Sequence, residues 1–160
     1  MGDMKWGLTP EDMGPVLAAL KLVIDEIDRD LLPNYGIELA AKRVLWKTDL
    51  QRVARQLTQP TVTKLQKEFL WIRLPLSAEE ACSCGYALLV AANHLDHFTG
   101  VEGLRGDPLA ETFVLPYDRS PWIVDLVKQH FSPIADDIAW VRQESLRLRL
   151  HAHYLLEHGD

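Results

Sequence analysis

Apolar residues recur every three or four positions along most of this chain, the period of an amphipathic helix rather than of a strand. The clearest run is Met13, Val16, Leu17, Leu20, Val23, Ile24, Ile27 and Leu31, with Lys21, Asp25, Asp28 and Arg29 on the opposite side. Thr9 precedes it as an N-cap and Pro10 suits the first turn. Glu11 and Asp12 place negative charge where the helix dipole favours it. Pro33-Asn34-Tyr35-Gly36 predicts an end near Leu32.

The period resumes at Ile37 through Ala40, Ala41, Val44 and Leu45, then Leu50, Val53, Ala54 and Leu57, as one bent helix or two short ones divided at a Thr48/Gln51 capping box. Pro60 opens a further segment with Val62, Leu65, Phe69, Leu70 and Ile72 apolar, and Pro75 closes it. Ser77 and Glu80 form a second capping box ahead of Ala81, Cys84, Ala87, Leu88, Ala91 and Leu95, with Gly100 as C-cap. That helix is apolar nearly all round, which predicts a central position. Residues 100–119 read as a long loop, a candidate for partner contact. Ser120-Pro121 starts a short helix to Phe131. Ser132-Pro133 starts the last one, with Ile134, Ile138, Val141, Leu148, Ala152 and Leu155 on one stripe.

No internal repeat or linker is visible, so residues 1–160 read as one domain of all-α class, an antiparallel helical bundle or orthogonal array of five to seven helices. Composition leaves this unchanged: 48% hydrophobic and 25% charged residues are ordinary for a globular chain. Cys82 and Cys84 are too few for a disulfide scaffold or a zinc cluster. Asp3, Glu11 and Asp12 near the start argue against an export signal. The most apolar stretch, Tyr86 to Ala92, is too short to span a bilayer. The expected location is the cytoplasm, with no membrane contact and no cofactor.

Charge distribution changes the picture more. Residues 42–73 hold eight basic side chains against two acidic ones, a net of +6, while the rest holds nine against 21, a net of −12. Such asymmetry bears on partners. Arg52 and Arg55 lie one turn apart, and Lys64 and Lys67 repeat that spacing, so two cationic ridges are expected, extended by Arg73. Trp46 and Trp71 flank them as candidate anchors. The surface would suit an acidic protein or nucleic acid.

Within this stretch Thr58-Gln59-Pro60-Thr61-Val62-Thr63-Lys64-Leu65, preceded by Leu50 to Leu57, resembles the recognition-helix start of helix-turn-helix repressors of the MarR and LysR types. The resemblance implies a segment 50–72 whose helix from Pro60 enters the major groove, with Gln59, Thr61, Thr63 and Lys64 near bases or phosphates. The chain departs from that pattern in a turn that is too short and lacks glycine. Near the other end, Arg147 and His153 resemble the arginine–histidine motif of HEPN ribonucleases, which are small helical proteins. That resemblance implies metal-independent RNA cleavage, Arg147 stabilising phosphate charge and His153 assisting attack by the ribose 2′-hydroxyl across a dimer. The plainer expectation is that Arg149 and His153 form a polar face, and that His94 and His97 are surface histidines at a polar helix end.

The leading expectation is a non-enzymatic interaction or regulatory module whose binding residues are Trp46, Arg52, Arg55, Lys64, Lys67, Trp71 and Arg73, with an acidic protein or nucleic acid as partner and a homodimer as one form it takes.

Overall fold

The computed structural model describes residues 4–29, 43–58, 72–98, 120–131 and 138–158. These form strand β1 (Met4–Leu8), helix α1 (Pro10–Asp28), α2 (Arg43–Leu57), strand β2 (Ile72–Leu76), α3 (Ala78–Phe98), α4 (Ser120–His130) and α5 (Ile138–His158). The described chain is therefore mostly helical, as its periodicity predicts. The expected helix start at Pro60, the loop 100–119, the Gly100 C-cap, and Lys64, Lys67 and Trp71 lie outside the described residues.

Two elements depart from the helical reading. β1 and β2 pair antiparallel, with Trp6 opposite Leu74, Lys5 opposite Pro75 and Gly7 opposite Arg73. Each strand alternates: Trp6 and Leu8 are buried around Gly7, and Leu74 and Leu76 are buried while Arg73 and Pro75 are exposed. Pro75 thus lies within a strand rather than closing a helix. A two-stranded sheet has only edges, where a missing N–H is tolerated. Residues 43–57 form one continuous helix, so no boundary falls at Thr48.

Both strands run directly into a capped helix. In the first, the Asp12 carboxylate accepts from the Thr9 backbone N–H at 3.0 Å and from its hydroxyl at 2.8 Å. In the second, Glu80 accepts from the Ser77 N–H at 3.0 Å, and the Ser77 hydroxyl accepts from the Glu80 N–H at 3.1 Å. Strand, cap and helix recur at one constant offset: Leu8 with Leu76, Thr9 with Ser77, Glu11 with Glu79, Asp12 with Glu80, Ala19 with Ala87, Leu20 with Leu88 and Asp28 with Asp96. The repeat missed in the sequence is therefore structural. Trp6 and Leu74 are equivalent under this offset and also face each other across the ladder, so a local two-fold relates the strands. Glu26 and His94, equivalent in the same way, touch.

α3 is central, as its all-round apolarity predicts. Ala81, Cys84, Ala87, Leu88, Leu89, Val90, Ala91, Ala92 and Leu95 are buried, and the helix touches α1, α2, α4 and α5. Burying each leucine contributes roughly 1.5–3 kcal/mol. Its longest contact is with α5, and the direction is antiparallel: Gly85 lies against Ala152 and Leu156, and Ala92 and Asp96 lie against Ser145. Gly85 allows the approach, since a β-carbon there would come within 2.7 Å of Leu156 Cγ.

Candidate interaction surfaces

The basic residues of α2 do not stand alone. Arg52 is about half exposed, with Nη1 3.7 Å from Asp49 Oδ1 and 3.6 Å from Glu80 Oε2. Lys47 pairs with Asp28 of α1. Arg55 is exposed and turns Nε toward its own helix, donating to the Gln51 carbonyl at 3.3 Å; it has no ion pair among the described residues. Arg73 is exposed on β2. Trp46 is 3% exposed, and its indole N–H donates to the Ser83 carbonyl at 2.8 Å. It joins α2 to α3 from inside the core, beside Asp49, which accepts from the Ser83 hydroxyl at 2.8 Å. α2 thus presents Arg52 and Arg55 on one exposed face, while Trp46 lies inward. Of the segment resembling a helix-turn-helix, Leu50 to Leu57 lie in α2, Ile72 opens β2, and 59–71 lie outside the described residues.

Arg147 shares a helix face with His151, one turn on, while His153 lies about a third of the way round the helix. Asp12 gathers the first two: Oδ1 is 3.4 Å from Arg147 Nη1 and 3.2 Å from His151 Nε2. Arg147 Nε also faces Glu144 at 3.4 Å. The indole N–H of Trp6, which is fully buried, donates to His151 Nδ1 at 2.9 Å. Both imidazole nitrogens are therefore occupied by protein groups, which makes this cluster a clasp between β1, α1 and α5. Burial raises the pKa of Asp12, but the Thr9 N–H, the Thr9 hydroxyl and His151 outweigh it and bring the carboxyl below its ordinary value. Glu144 goes the other way, pushed up by burial against the opposing pull of Arg147, with Asp12 adding to the rise.

Two polar sites lie deeper. Arg149 is 3% exposed, so it does not form the expected surface polar face with His153. Its Nη2 donates to Asp96 Oδ2 at 2.5 Å and Asn93 Oδ1 at 2.6 Å, and the Ser145 hydroxyl donates to Asp96 Oδ1 at 2.5 Å. His94 is likewise no surface histidine: its Nε2 lies 2.7 Å from Glu26 Oε1, and both residues are fully buried. His97 shares the helix end, but its side chain lies outside the described set. No group of three or more potential metal ligands occurs among the described residues. Cys84 is buried, and its thiol is pushed far up by burial first, then by the negative fields of Glu80 and Asp49, so it stays protonated and unreactive.

The solvent side of α5 is different in kind. Trp140 (48%), Leu146 (51%), Leu150 (73%) and Tyr154 (39%) are its exposed large hydrophobics. At 100° per residue they form one stripe opposite the buried Val141, Leu148, Ala152 and Leu155. Arg142 and Gln143 are exposed toward one end and Glu157 toward the other. Sequence reading missed this face because it followed the stripe through Val141 and Leu155 and treated the rest of the helix as polar. The second stripe of Leu146, Leu150 and Tyr154, at four-residue spacing, was legible there.

None of the described helices is long and apolar enough to cross a membrane. A scan of protein-family models matches no family, and searches of curated proteins and of solved structures return no match.

Proposed function

We propose that this chain is a cytoplasmic, single-domain antiparallel helical bundle that acts as an interaction or regulatory protein, and that the outer face of α5 is a contact surface. One observation carries the reading: four large apolar side chains lie exposed along a single helix face. Contiguous exposed apolar patches larger than a few hundred Å² mark contact sites on soluble proteins. Polar chemistry supports the same reading. His94, Glu26, Asp96 and Arg149 are sealed in the interior, and His151 is held at both ring nitrogens.

A photo-crosslinking residue at Leu150, with one at exposed Lys21 on α1 as control, tests this in the native cell. Adducts are expected from position 150 and not from 21. Absence of adducts at 150 removes the assignment of this face.

A second reading is favoured by Arg55, whose charge no described carboxylate matches. The exposed side of α2, with Arg52 and Arg55, together with Arg73 of β2, docks on an acidic partner, either a protein or nucleic acid; Lys64 and Lys67, between them in the sequence, add to its charge. Nucleic-acid binding through these cations loses affinity steeply with salt. Titration of labelled RNA and DNA oligonucleotides at low and high salt, with Arg55→Glu alongside, reads this directly. Binding indifferent to both salt and the substitution excludes nucleic acid.

A further inference from the structure

We infer that the occupant of the α5 face is a second copy of this chain, packed antiparallel across a two-fold axis at Leu150. The inference rests on the contact surface proposed above and goes further by naming what covers it. Leu150 is the most exposed large hydrophobic of the stripe and stands midway between Leu146 and Tyr154. In an antiparallel pair centred there, residues equally distant from Leu150 face one another. Leu150 then meets Leu150 of the second copy, and Leu146 meets Tyr154 in both directions. This is the self-complementarity that a two-fold contact requires.

Charge fixes the direction. Arg142 lies toward the start of the stripe and Glu157 toward its end, both exposed and neither in an ion pair among the described residues. They are almost equally distant from Leu150, so the antiparallel arrangement sets Arg142 of each copy beside Glu157 of the other. A parallel arrangement stacks Arg142 on Arg142 and Glu157 on Glu157, which is repulsive at both ends. The helix is 21 residues long, about 30 Å at 1.5 Å per residue, and the two ion pairs lie on either side of Leu146, Leu150 and Tyr154. Specific pairs of proteins bury roughly 800 Å² per partner. Leu146, Leu150 and Tyr154 supply the centre of such an area, and Trp140, Arg142, Gln143 and Glu157 supply its periphery.

Sedimentation equilibrium of the purified chain from about 1 µM to about 1 mM tests the inference. A reversible dimer is expected. Leu150→Glu is expected to give a monomer with unchanged circular dichroism and, at concentrations below the parent's dimer Kd, an unchanged urea midpoint, because the replaced side chain lies in solvent in the single chain. Arg142→Glu and Glu157→Arg each convert two attractions into two repulsions and are expected to raise the dimer Kd about tenfold; the double variant restores it. A chain that stays monomeric over the whole range overturns the inference, as does a double variant no tighter than the singles. If the chain is monomeric while crosslinks from position 150 capture a different protein, the contact surface stands and the second copy does not.

Discussion

Trp6 on the first strand donates its indole N–H to His151 Nδ1 on the last helix at 2.9 Å, with the two rings edge to face at a centroid distance of 5.7 Å. Because Nδ1 accepts, the ring proton of the neutral imidazole sits on Nε2, facing Asp12 Oδ1 at 3.2 Å. One histidine thus joins the start of the chain to its end.

Removing the acceptor leaves a fully buried indole N–H unpaired, which costs about 1–3 kcal/mol. His151→Ala is expected to lose stability in that range, and Trp6→Phe to lose more through its lost packing. The informative number is the coupling in the double-mutant cycle, expected at about 1 kcal/mol by urea denaturation. Effects that add to within about 0.3 kcal/mol show that the contact does no joint work.

Asp12 and Glu144 flank the same arginine and have pKa values shifted in opposite directions, so their pH effects separate. Asp12 has a lowered pKa in the folded chain: its contribution is present above the unfolded value of 3.8 and disappears as pH falls through the folded one. Asp12→Asn is expected to cost about 1 kcal/mol at neutral pH and close to nothing in strong acid. Glu144 has a raised pKa, so the folded state holds that proton to higher pH than the unfolded chain does. Its ionisation therefore weakens the fold as pH rises through and above 4.5. Glu144→Gln is accordingly expected to stabilise at pH 7 and to be neutral in acid. Urea midpoints at the two pH values read both signs, and a Glu144→Gln variant less stable at pH 7 contradicts the assignment.

How much of this was legible beforehand depends on the range of the interactions. α1 and α3 announce themselves through local signals: a capping residue, an acid three positions on, and apolar residues at helical spacing. β1 and β2 do not, because each is a five-residue strand whose partner lies far along the chain. Without that partner, Trp6 and Leu8 are two stray apolar residues and Pro75 looks like a helix terminator. The same gap explains the polar sites. His94 in an apolar helix looks like part of its exposed end until Glu26 is brought beside it, and Arg149 looks solvated until Asp96 and Asn93 meet it. The cations of residues 42–73 are visible in the sequence, but the carboxylates that match Lys47 and Arg52 include Asp28 and Glu80 from other helices.

Arg149 is the most buried cation described, and Asp96 is its ionic partner. Removing one member of such a pair leaves a charge uncompensated in a medium that solvates it poorly, a loss of about 3–5 kcal/mol. Asp96→Asn also weakens the bond from Ser145, so the urea midpoint is expected to fall by an amount in that range. Replacing both members, as Asp96→Leu with Arg149→Met, is expected to cost less than the single change, because no stranded charge remains. A double variant worse than Asp96→Asn alone argues that the pair contributes net attraction beyond its desolvation cost.

Gly14 and Gly85 both lie inside helices, and the same substitution is expected to cost far more at Gly85 than at Gly14. Glycine costs a helix about 0.5–1 kcal/mol relative to alanine, since the unfolded chain loses more freedom on folding. A β-carbon on Gly14 meets nothing within 4 Å beyond its chain neighbours, but Pro15 follows it, and the proline ring crowds a preceding β-carbon in the helical conformation, so Gly14→Ala is expected to change stability by less than that amount. On Gly85 a β-carbon lies 2.7 Å from Leu156 Cγ, 2.9 Å from Leu156 Cδ2 and 3.4 Å from the Ala152 carbonyl oxygen. Leu156 must leave its rotamer or α5 must back away from α3, and overpacking of this kind costs about 1–3 kcal/mol, more than the helix gains. Gly85→Ala is thus expected to be net destabilising by up to about 2 kcal/mol. Adding Leu156→Ala vacates the space the new methyl needs, so the two changes together are expected to cost less than their sum. Strict additivity in thermal or urea unfolding would place the close approach of α3 and α5 somewhere other than Gly85.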